Sequence, residues 1–215
     1  MPIHLHCDAS QGVGLLNTHV ARLGVDMLTL NAGKIYGPKQ VGLLWLKSTV
    51  LLDPLIVGGG QERGLRSGTE NVAGTIGFAR ALELATEHRN QEAQRLSRLR
   101  DMMQARLSEA YPEAVFVGHA KRRLPNYLHI AWPGLDAERL VFGLESRGVL
   151  VATGSACAAN HALRSHVLTA IGLDPVVADG SLRLTLGRLS HEQNIARAAK
   201  IIIEVVCQEY ERIAR

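Results

Sequence analysis

The sequence predicts an α/β protein with two domains, a sheet domain followed by a smaller two-layer α+β domain. Two β-rich apolar runs, residues 27–30 and 41–47, flank a Gly37-Pro38 turn and predict strands. A long segment with apolar residues at helical spacing follows them. From about Val115, short strand and helix patterns alternate. We therefore place the first domain at residues 1–85 and the second at residues 86–215.

Local signals predict the elements of the first domain. In chain order these are a strand over residues 3–8, a helix over 18–23, strands over 27–30 and 41–47, and a glycine-rich loop over 57–69. Gly24 suits the left-handed position that ends a helix. Asn71 predicts the start of the long helix, and Tyr111-Pro112 predicts its end.

The second domain is predicted in the same way. Strands are expected over residues 115–117, 128–132, 149–152 and 181–186, and helices over 137–147 and 163–171. A Ser190-His191-Glu192-Gln193 capping box predicts the start of the last helix.

Composition excludes several classes of function. The net charge of +4 is spread along the 215 residues without a basic run, which argues against direct nucleic-acid binding. The 3 cysteines form no CxxC pair, so structural zinc and a disulfide framework are not expected. His4 and His6 share a strand face but lack a third ligand at suitable spacing, so no metal site is predicted. No apolar segment is long enough to cross a membrane, and a reducing cytoplasm is the expected location.

Lys34 follows a predicted buried strand and carries the strongest chemical signal. A partly desolvated lysine has a depressed pKa, and its neutral amine can form a Schiff base with an aldehyde. Asp8 ends another predicted strand. An aspartate near a lysine is what pyridoxal phosphate requires, because the carboxylate keeps the pyridine nitrogen protonated. The alternative is that Lys34 is an ordinary surface lysine.

Two further residues have a chemical and a structural interpretation. Cys157 lies in a loop of small residues, Gly154-Ser155-Ala156-Cys157, where an accessible thiolate can attack sulfur. A small buried cysteine is the alternative. Arg183 alternates with leucines on a predicted strand, so it points away from them and is suited to a carboxylate ligand. An ordinary ion pair is the alternative. Cys7 and Cys207 are expected in the core or on a helix face.

The segment from Gly58 to Thr69 combines glycines with two arginines. Such backbones favour anions, so a phosphate cradle is possible. The segment lacks the Lys-Ser/Thr ending of a P-loop, which argues against nucleotide binding.

Taken together, these motifs resemble the cysteine desulfurases that serve iron–sulfur cluster assembly and tRNA thiolation. The resemblance rests on Asp8-Ala9-Ser10-Gln11, Lys34-Ile35-Tyr36-Gly37-Pro38-Lys39, the Gly58–Thr69 block, Gly154-Ser155-Ala156-Cys157 and Ser181-Leu182-Arg183-Leu184-Thr185-Leu186-Gly187-Arg188. They occur in the family's order and cover nearly the whole chain. The resemblance implies a partial pyridoxal-phosphate transferase fold of the class V aminotransferase type, in which the first domain is part of a large, mostly parallel sheet domain and the second is the smaller α+β domain.

It also implies roles around pyridoxal 5'-phosphate. Lys34 would hold the cofactor and move the α-proton, and Asp8 would contact its ring nitrogen. Gln11 would bond the phenolic oxygen. Asn31 would donate one hydrogen bond, and Thr69 would reach the cofactor phosphate of a neighbouring subunit. A homodimer is therefore expected.

For the substrate, L-cysteine, the resemblance implies that Arg183 and Asn126 bind it and that Cys157 accepts its sulfur as a persulfide. A sulfur-acceptor scaffold or a tRNA-thiolation protein would then receive the sulfur. The chain departs from the family pattern at Asn31 and Gly33, where serine and histidine are usual. It departs again at His129, where asparagine is common.

Against the resembled family, the chain begins in the middle of the large domain. One hypothesis is therefore the C-terminal portion of a cysteine desulfurase. A second is an inactive fragment or split subunit that acts as an interaction module and needs a separate N-terminal half. A selenocysteine lyase or a class V aminotransferase is a third.

Overall fold

The computed structural model describes residues 3–153 and 165–215. The chain forms two compact units, Met1–Glu92 and Ala93–Arg215. The division falls inside the longest helix, as does the boundary predicted at residues 85–86. The boundary between two domains at residues 85–86 stays a prediction.

The first unit contains a three-stranded sheet and the start of the long helix. Its elements are β1 (His6–Asp8), α1 (Val20–Leu23), β2 (Met27–Asn31), a 3₁₀ helix (Ala32–Lys34), β3 (Gly42–Leu46), a second 3₁₀ turn (Glu62–Gly64) and α2 (Val72–Ala110). Gly24 ends α1 in the left-handed conformation, with φ of 65°. The side chain of Asn71 accepts a hydrogen bond from the Gly74 backbone N–H at 2.9 Å, which confirms the predicted start of α2.

The strand order of the first sheet is β1-β2-β3. β1 and β2 are parallel, whereas β2 and β3 are antiparallel. Leu28 and Leu30 of β2 point to a buried face, and Phe78 of α2 belongs to the same hydrophobic cluster. Cys7 packs against this cluster, as the sequence predicted for it. The expected strand over residues 3–8 is shorter, because only its last three residues pair with β2.

The second unit is an antiparallel sheet with helices. Its elements after α2 are β4 (Val115–Phe116), β5 (Tyr127–Ala131), α3 (Ala137–Glu145), β6 (Ala152–Thr153), α4 (His166–Ala170), α5 (Pro175–Asp179), β7 (Ser181–Thr185) and α6 (Glu192–Ile213). The strand order is β4-β5-β7-β6, and each described pair is antiparallel.

Alternation along β5 and β7 gives the second sheet one fully apolar face. Leu128, Ile130 and Leu182 are 0% exposed. The helices α3 and α6 contact each other, and α3 also contacts β6 and β7. The end of α2 is joined to the segment before β5 by Arg100, whose guanidinium donates to the backbone carbonyls of Leu124 and Pro125. Because apolar side chains occupy one face of β5 and β7, the polar side chains of these two strands lie on the opposite face.

Two local predictions were wrong, and one short helix was missed. The N-cap of α6 is His191 rather than Ser190, because the His191 ring accepts from the Asn194 backbone and Asn194 answers reciprocally. The strand expected over residues 149–152 instead spans Ala152–Thr153, where β7 provides its partner. The short helix α5 was missed, although Asp174 caps it and Pro175 begins it.

Candidate functional site

Parallel pairing brings the two predicted cofactor residues of the first unit to one edge of its sheet. Asp8 ends β1 and is paired in register with Thr29 of β2. Lys34 follows the end of β2 by one turn of 3₁₀ helix. Because parallel strands end at the same edge, the carboxylate and the amine both belong to the C-terminal edge. Such edges are where open α/β sheets bind their ligands.

The Asp8 carboxylate is held in its ionised form. Hydrogen bonds from the side chain and then the backbone of Ser10 hold the pKa of Asp8 below its usual value, with a smaller contribution from the charge of His6. The backbone N–H of Ser10 lies 2.9 Å from the carboxylate oxygen. Asp8 is exposed and therefore available to a cationic partner.

The turn that carries Lys34, residues 32–41, is closed by its own hydrogen bonds. The Asn31 side chain accepts from the Gly33 backbone at 2.9 Å and so caps the 3₁₀ helix. Ala32 donates to the carbonyl of Val41 and accepts from the N–H of Gly37. Tyr36 has a φ of 63°, a conformation that costs a non-glycine residue about 1 kcal/mol or more.

Small residues of α2 receive this turn. A Cβ added at Gly77 would lie 2.6 Å from Pro38 Cγ, and one added at Gly74 would lie 2.7 Å from a methyl of Val41. In the same way, a Cβ added at Gly37 of the turn would lie 3.0 Å from the Cβ of Ala81. The position of Lys34 therefore depends on a stripe of small residues along α2.

Lys34 itself is exposed, as are Gln11 and Asn31. The sequence predicted a partly desolvated lysine, and this was wrong for the first unit as described. The strand before Lys34 is buried, but the 3₁₀ turn carries the lysine beyond the sheet into solvent.

The glycine-rich loop before α2 is held by side chains of its own. Gln61 accepts from the backbone of Gly68, and the buried Ser67 accepts from the backbone of Gly60 at 3.3 Å. Glu62 and Arg63 both adopt positive φ. Thr69, the predicted phosphate contact, is exposed at the end of this closed loop.

In the second unit, Arg183 lies on the polar face of the sheet, as the alternation of β7 predicted. Its Cζ lies 5.9 Å from the centroid of the Tyr127 ring, which is a cation–π distance. His129 of β5 is its direct cross-strand partner, and Ala152 of β6 is its partner on the other side.

The pKa of His129 is lowered by its surroundings on this face. Burial, followed by the charge of Arg183, lowers its pKa below the usual value, so the imidazole is neutral at neutral pH. Its Nε2 atom is buried and has no hydrogen-bond partner among the described residues.

Asn126 is buried, and its described contacts hold the end of β7. The side-chain nitrogen of Asn126 donates to the backbone carbonyl of Leu186. The backbone N–H of Leu186 in turn donates to the backbone carbonyl of Asn126 at 2.9 Å. Its Oδ1 atom is buried without a partner within the described segments. A role for Asn126 in substrate binding stays a prediction, and Cys157 lies outside the described residues.

Sequence reasoning overlooked Tyr127 and Ser10. Tyr127 alternates with Leu128, and period-two spacing could have placed it on the face of Arg183. Ser10 lies two residues after Asp8, a spacing typical of a local turn in which a carboxylate accepts a backbone N–H.

Comparison with known proteins gives the family of the chain. The aminotransferase class-V family matches residues 2–197. The cysteine desulfurase IscS 1 of Archaeoglobus fulgidus is 41% identical over 202 residues, which are 94% of this chain and 53% of that protein. The cysteine desulfurase IscS of Clostridium botulinum is 40% identical over 211 residues, which are 97% and 53% of the two chains.

Solved structures agree with these sequence matches. A NifS-like protein is 35% identical with a TM-score of 0.84, covering 94% of this chain and 52% of its own. The NifS-like protein of Rickettsia africae is 30% identical with a TM-score of 0.83, covering 96% and 53%. The chain thus spans about half the length of the relatives that it matches.

None of the described helices is long and apolar enough to cross a membrane.

Proposed function

Because this chain belongs to the class-V aminotransferase family, we propose that it provides the lysine-bearing part of a pyridoxal-phosphate-dependent cysteine desulfurase. The reaction would convert L-cysteine to alanine and leave a persulfide on the enzyme. The observation that carries the proposal is the pairing of β1 with β2, which brings an ionised Asp8 and the turn of Lys34 to one sheet edge. The names of the two desulfurase relatives support the choice of reaction.

The residues of the first unit fit the chemistry of the cofactor. Asp8 is exposed and its pKa is lowered by Ser10, so at neutral pH it offers a negative charge to a pyridinium N–H. Lys34 offers an exposed amine to an aldehyde. Gln11, Asn31 and Thr69 are exposed hydrogen-bonding side chains that would contact the ring oxygen and the phosphate. Bound pyridoxal phosphate supplies an electron sink for the pair released when a bond at the α-carbon breaks.

The chain's own residues would divide the remaining work. Arg183 would hold the substrate carboxylate through its planar guanidinium. Lys34 would take the proton from the α-carbon and return a proton when alanine forms. The Cys157 thiolate would attack the sulfur of the substrate, so that an S–S bond forms as the bond between carbon and sulfur breaks. The electron pair of the broken bond stays with carbon, which is then protonated.

The sulfur of the Cys157 persulfide would pass to an acceptor. A scaffold for iron–sulfur clusters or a tRNA-thiolation protein fits this chemistry, because either accepts sulfur at the oxidation level of a persulfide. A dimer in which Thr69 serves the neighbouring subunit belongs to the same proposal.

A visible absorption spectrum tests the cofactor site directly. Pyridoxal phosphate added to the purified chain should give a protein-dependent visible band that Lys34→Ala removes. Lys39→Ala is the matched control, because Lys39 is an exposed lysine of the same turn and should leave the band unchanged. A band that survives in Lys34→Ala, or one that never forms, would contradict the proposed cofactor site.

Cysteine turnover tests the reaction. Cys157→Ser should retain the cofactor band and lose the release of sulfide from L-cysteine under reducing conditions. Sulfide release that continues in Cys157→Ser would contradict the assignment of the sulfur-accepting residue.

A further inference from the structure

The polar face of the second sheet carries a side chain to which the proposed function gives no role. His129 and Arg183 are direct cross-strand partners of β5 and β7. Side chains at such positions point to the same face, with Cβ atoms about 4.5–5.5 Å apart. Their strand neighbours Leu128 and Leu182 point to the opposite, fully buried face. An imidazole and a guanidinium therefore lie side by side.

The Nε2 atom of the His129 ring is a polar atom without a hydrogen-bond partner among the described residues. Nε2 is buried and makes no hydrogen bond within the described part of the chain. Buried polar atoms in native proteins are nearly always satisfied, by protein, water or ligand. The nearby positions on this face are Ala152, opposite Arg183, and Tyr127, whose ring lies beside the guanidinium. Neither places a polar group on Nε2.

We propose that His129 is a second carboxylate-binding residue, which donates a hydrogen bond from Nε2 to the carboxylate of an α-amino acid held by Arg183. The inference rests on the proposed function, because it takes Arg183 as the carboxylate ligand. A carboxylate has enough lone pairs to accept the guanidinium fork and one further N–H. A neutral imidazole can supply that N–H without adding a second positive charge to the polar face.

Charge couples the two residues to their ligand. Among the described residues, the other charged and titratable groups on this face are Arg183 of β7 and Tyr127 of β5, and β4 and β6 add none. Asp179 comes from α5, which packs against β5. Burial and then Arg183 lower the pKa of His129. A bound carboxylate would offset the charge of Arg183, so binding should raise the pKa of His129.

The test measures that coupling in the full chain with pyridoxal phosphate present. Histidine ring signals are followed by NMR from about pH 5 to about pH 8, the range in which imidazoles titrate. The titration is done with and without L-alanine. His129→Asn identifies the signal of His129. We expect L-alanine to raise the pKa of His129. Ethylamine, which is alanine without its carboxylate, should not.

Affinity gives an independent readout. His129→Leu should weaken L-alanine binding about tenfold, the effect of losing one hydrogen bond to a charged group. His129→Asn should stay within about twofold of the original protein, because an amide N–H can replace the imidazole N–H. Arg183→Gln should lose most of the affinity.

Each outcome decides the inference. L-alanine that binds in an Arg183-dependent way but leaves the pKa of His129 unchanged overturns it and leaves the proposed function standing. Because that experiment uses the unaltered chain, poor folding of His129→Leu does not affect it. L-alanine that fails to bind overturns both the role of His129 and that of Arg183. A shifted His129 pKa in a protein without cysteine turnover supports the inference and contradicts the proposed reaction.

Discussion

The pKa values of Asp8 and His129 are both lowered, but by different causes. Asp8 is exposed, and hydrogen bonds from Ser10 favour its charged form. His129 is mostly buried, and burial followed by the charge of Arg183 disfavours its charged form. At neutral pH, the sheet edge of the first unit therefore holds a negative charge at Asp8, while His129 adds none beside Arg183. An ionised Asp8 suits a pyridinium N–H, and a neutral imidazole can still donate one N–H to a carboxylate.

His129 should make stability depend on pH. Its folded-state pKa lies below the unfolded value of about 6.5, so the unfolded chain binds more protons between these two values. The free energy of unfolding should therefore be highest above about pH 6.5 and fall as the pH drops towards the folded-state pKa. Urea denaturation at several pH values checks this. His129→Asn should flatten the dependence in that window, and an unchanged slope would contradict the burial of a neutral ring.

Asn31 should stabilise the lysine turn through its cap. Asn31→Ala removes the acceptor of the Gly33 N–H and should lower the free energy of unfolding by about 1 kcal/mol. Asn31→Asp keeps an acceptor at the same position and is the matched control. Urea denaturation of the three proteins measures the difference. Equal stability of Asn31→Ala would mean that water replaces the cap at no cost.

At the scale of elements, the contact between α2 and the lysine turn is decisive. Gly74, Gly77 and Ala81 follow one another at spacings of three and four, so they lie on one face of α2. Pro38, Val41 and Gly37 approach this face. Larger side chains would hold the turn away from the helix and move Lys34 relative to Asp8.

Gly77→Ala separates this packing from helix propensity. Propensity alone would stabilise the helix by about 1 kcal/mol. The new Cβ would lie 2.6 Å from Pro38 Cγ, however, and overpacking of this kind costs about 1–3 kcal/mol. We expect a net loss of stability and a weaker cofactor band, measured by urea denaturation and absorption. The exposed Ala79 of the same helix is the control, and Ala79→Gly should lose about 1 kcal/mol without affecting the band.

At the scale of the whole molecule, the first unit exposes many large apolar side chains. Leu51 is 93% exposed, Leu55 100% and Val57 77%, and all three lie between residue 51 and the first residue of the glycine-rich loop. Contiguous exposed apolar residues of this kind mark interaction surfaces or a tendency to aggregate. The charge of +4 opposes association only weakly.

We therefore expect the purified chain to self-associate at micromolar concentration. Light scattering should give a mass above 23.3 kDa that falls when Leu51 and Leu55 are both replaced by lysine. Two lysines placed at the exposed Thr86 and Gln91 of α2 serve as the control, because they add the same charge elsewhere. A monodisperse monomer of the unaltered chain would contradict the expectation.

Sequence patterns predicted a large share of the fold, because many of its elements depend on local signals. The strand before Lys34, the helix that Asn71 begins and the alternation that separates Arg183 from its leucine neighbours are all short-range properties. Predictions failed where two signals competed. Ser190 and His191 are both possible caps, but the Ser190 hydroxyl accepts from the Gly187 N–H, and the His191 ring caps α6.

The sequence by itself determined that a lysine would follow a buried strand, that Arg183 would face away from the core, and that the chain resembles a desulfurase. Only the tertiary structure decided that His129 lies beside Arg183, that Lys34 is exposed, and that Gly77 receives Pro38. The physical reason is range. Periodicity and capping act within a few residues, whereas strand register and close packing depend on residues far apart in the chain.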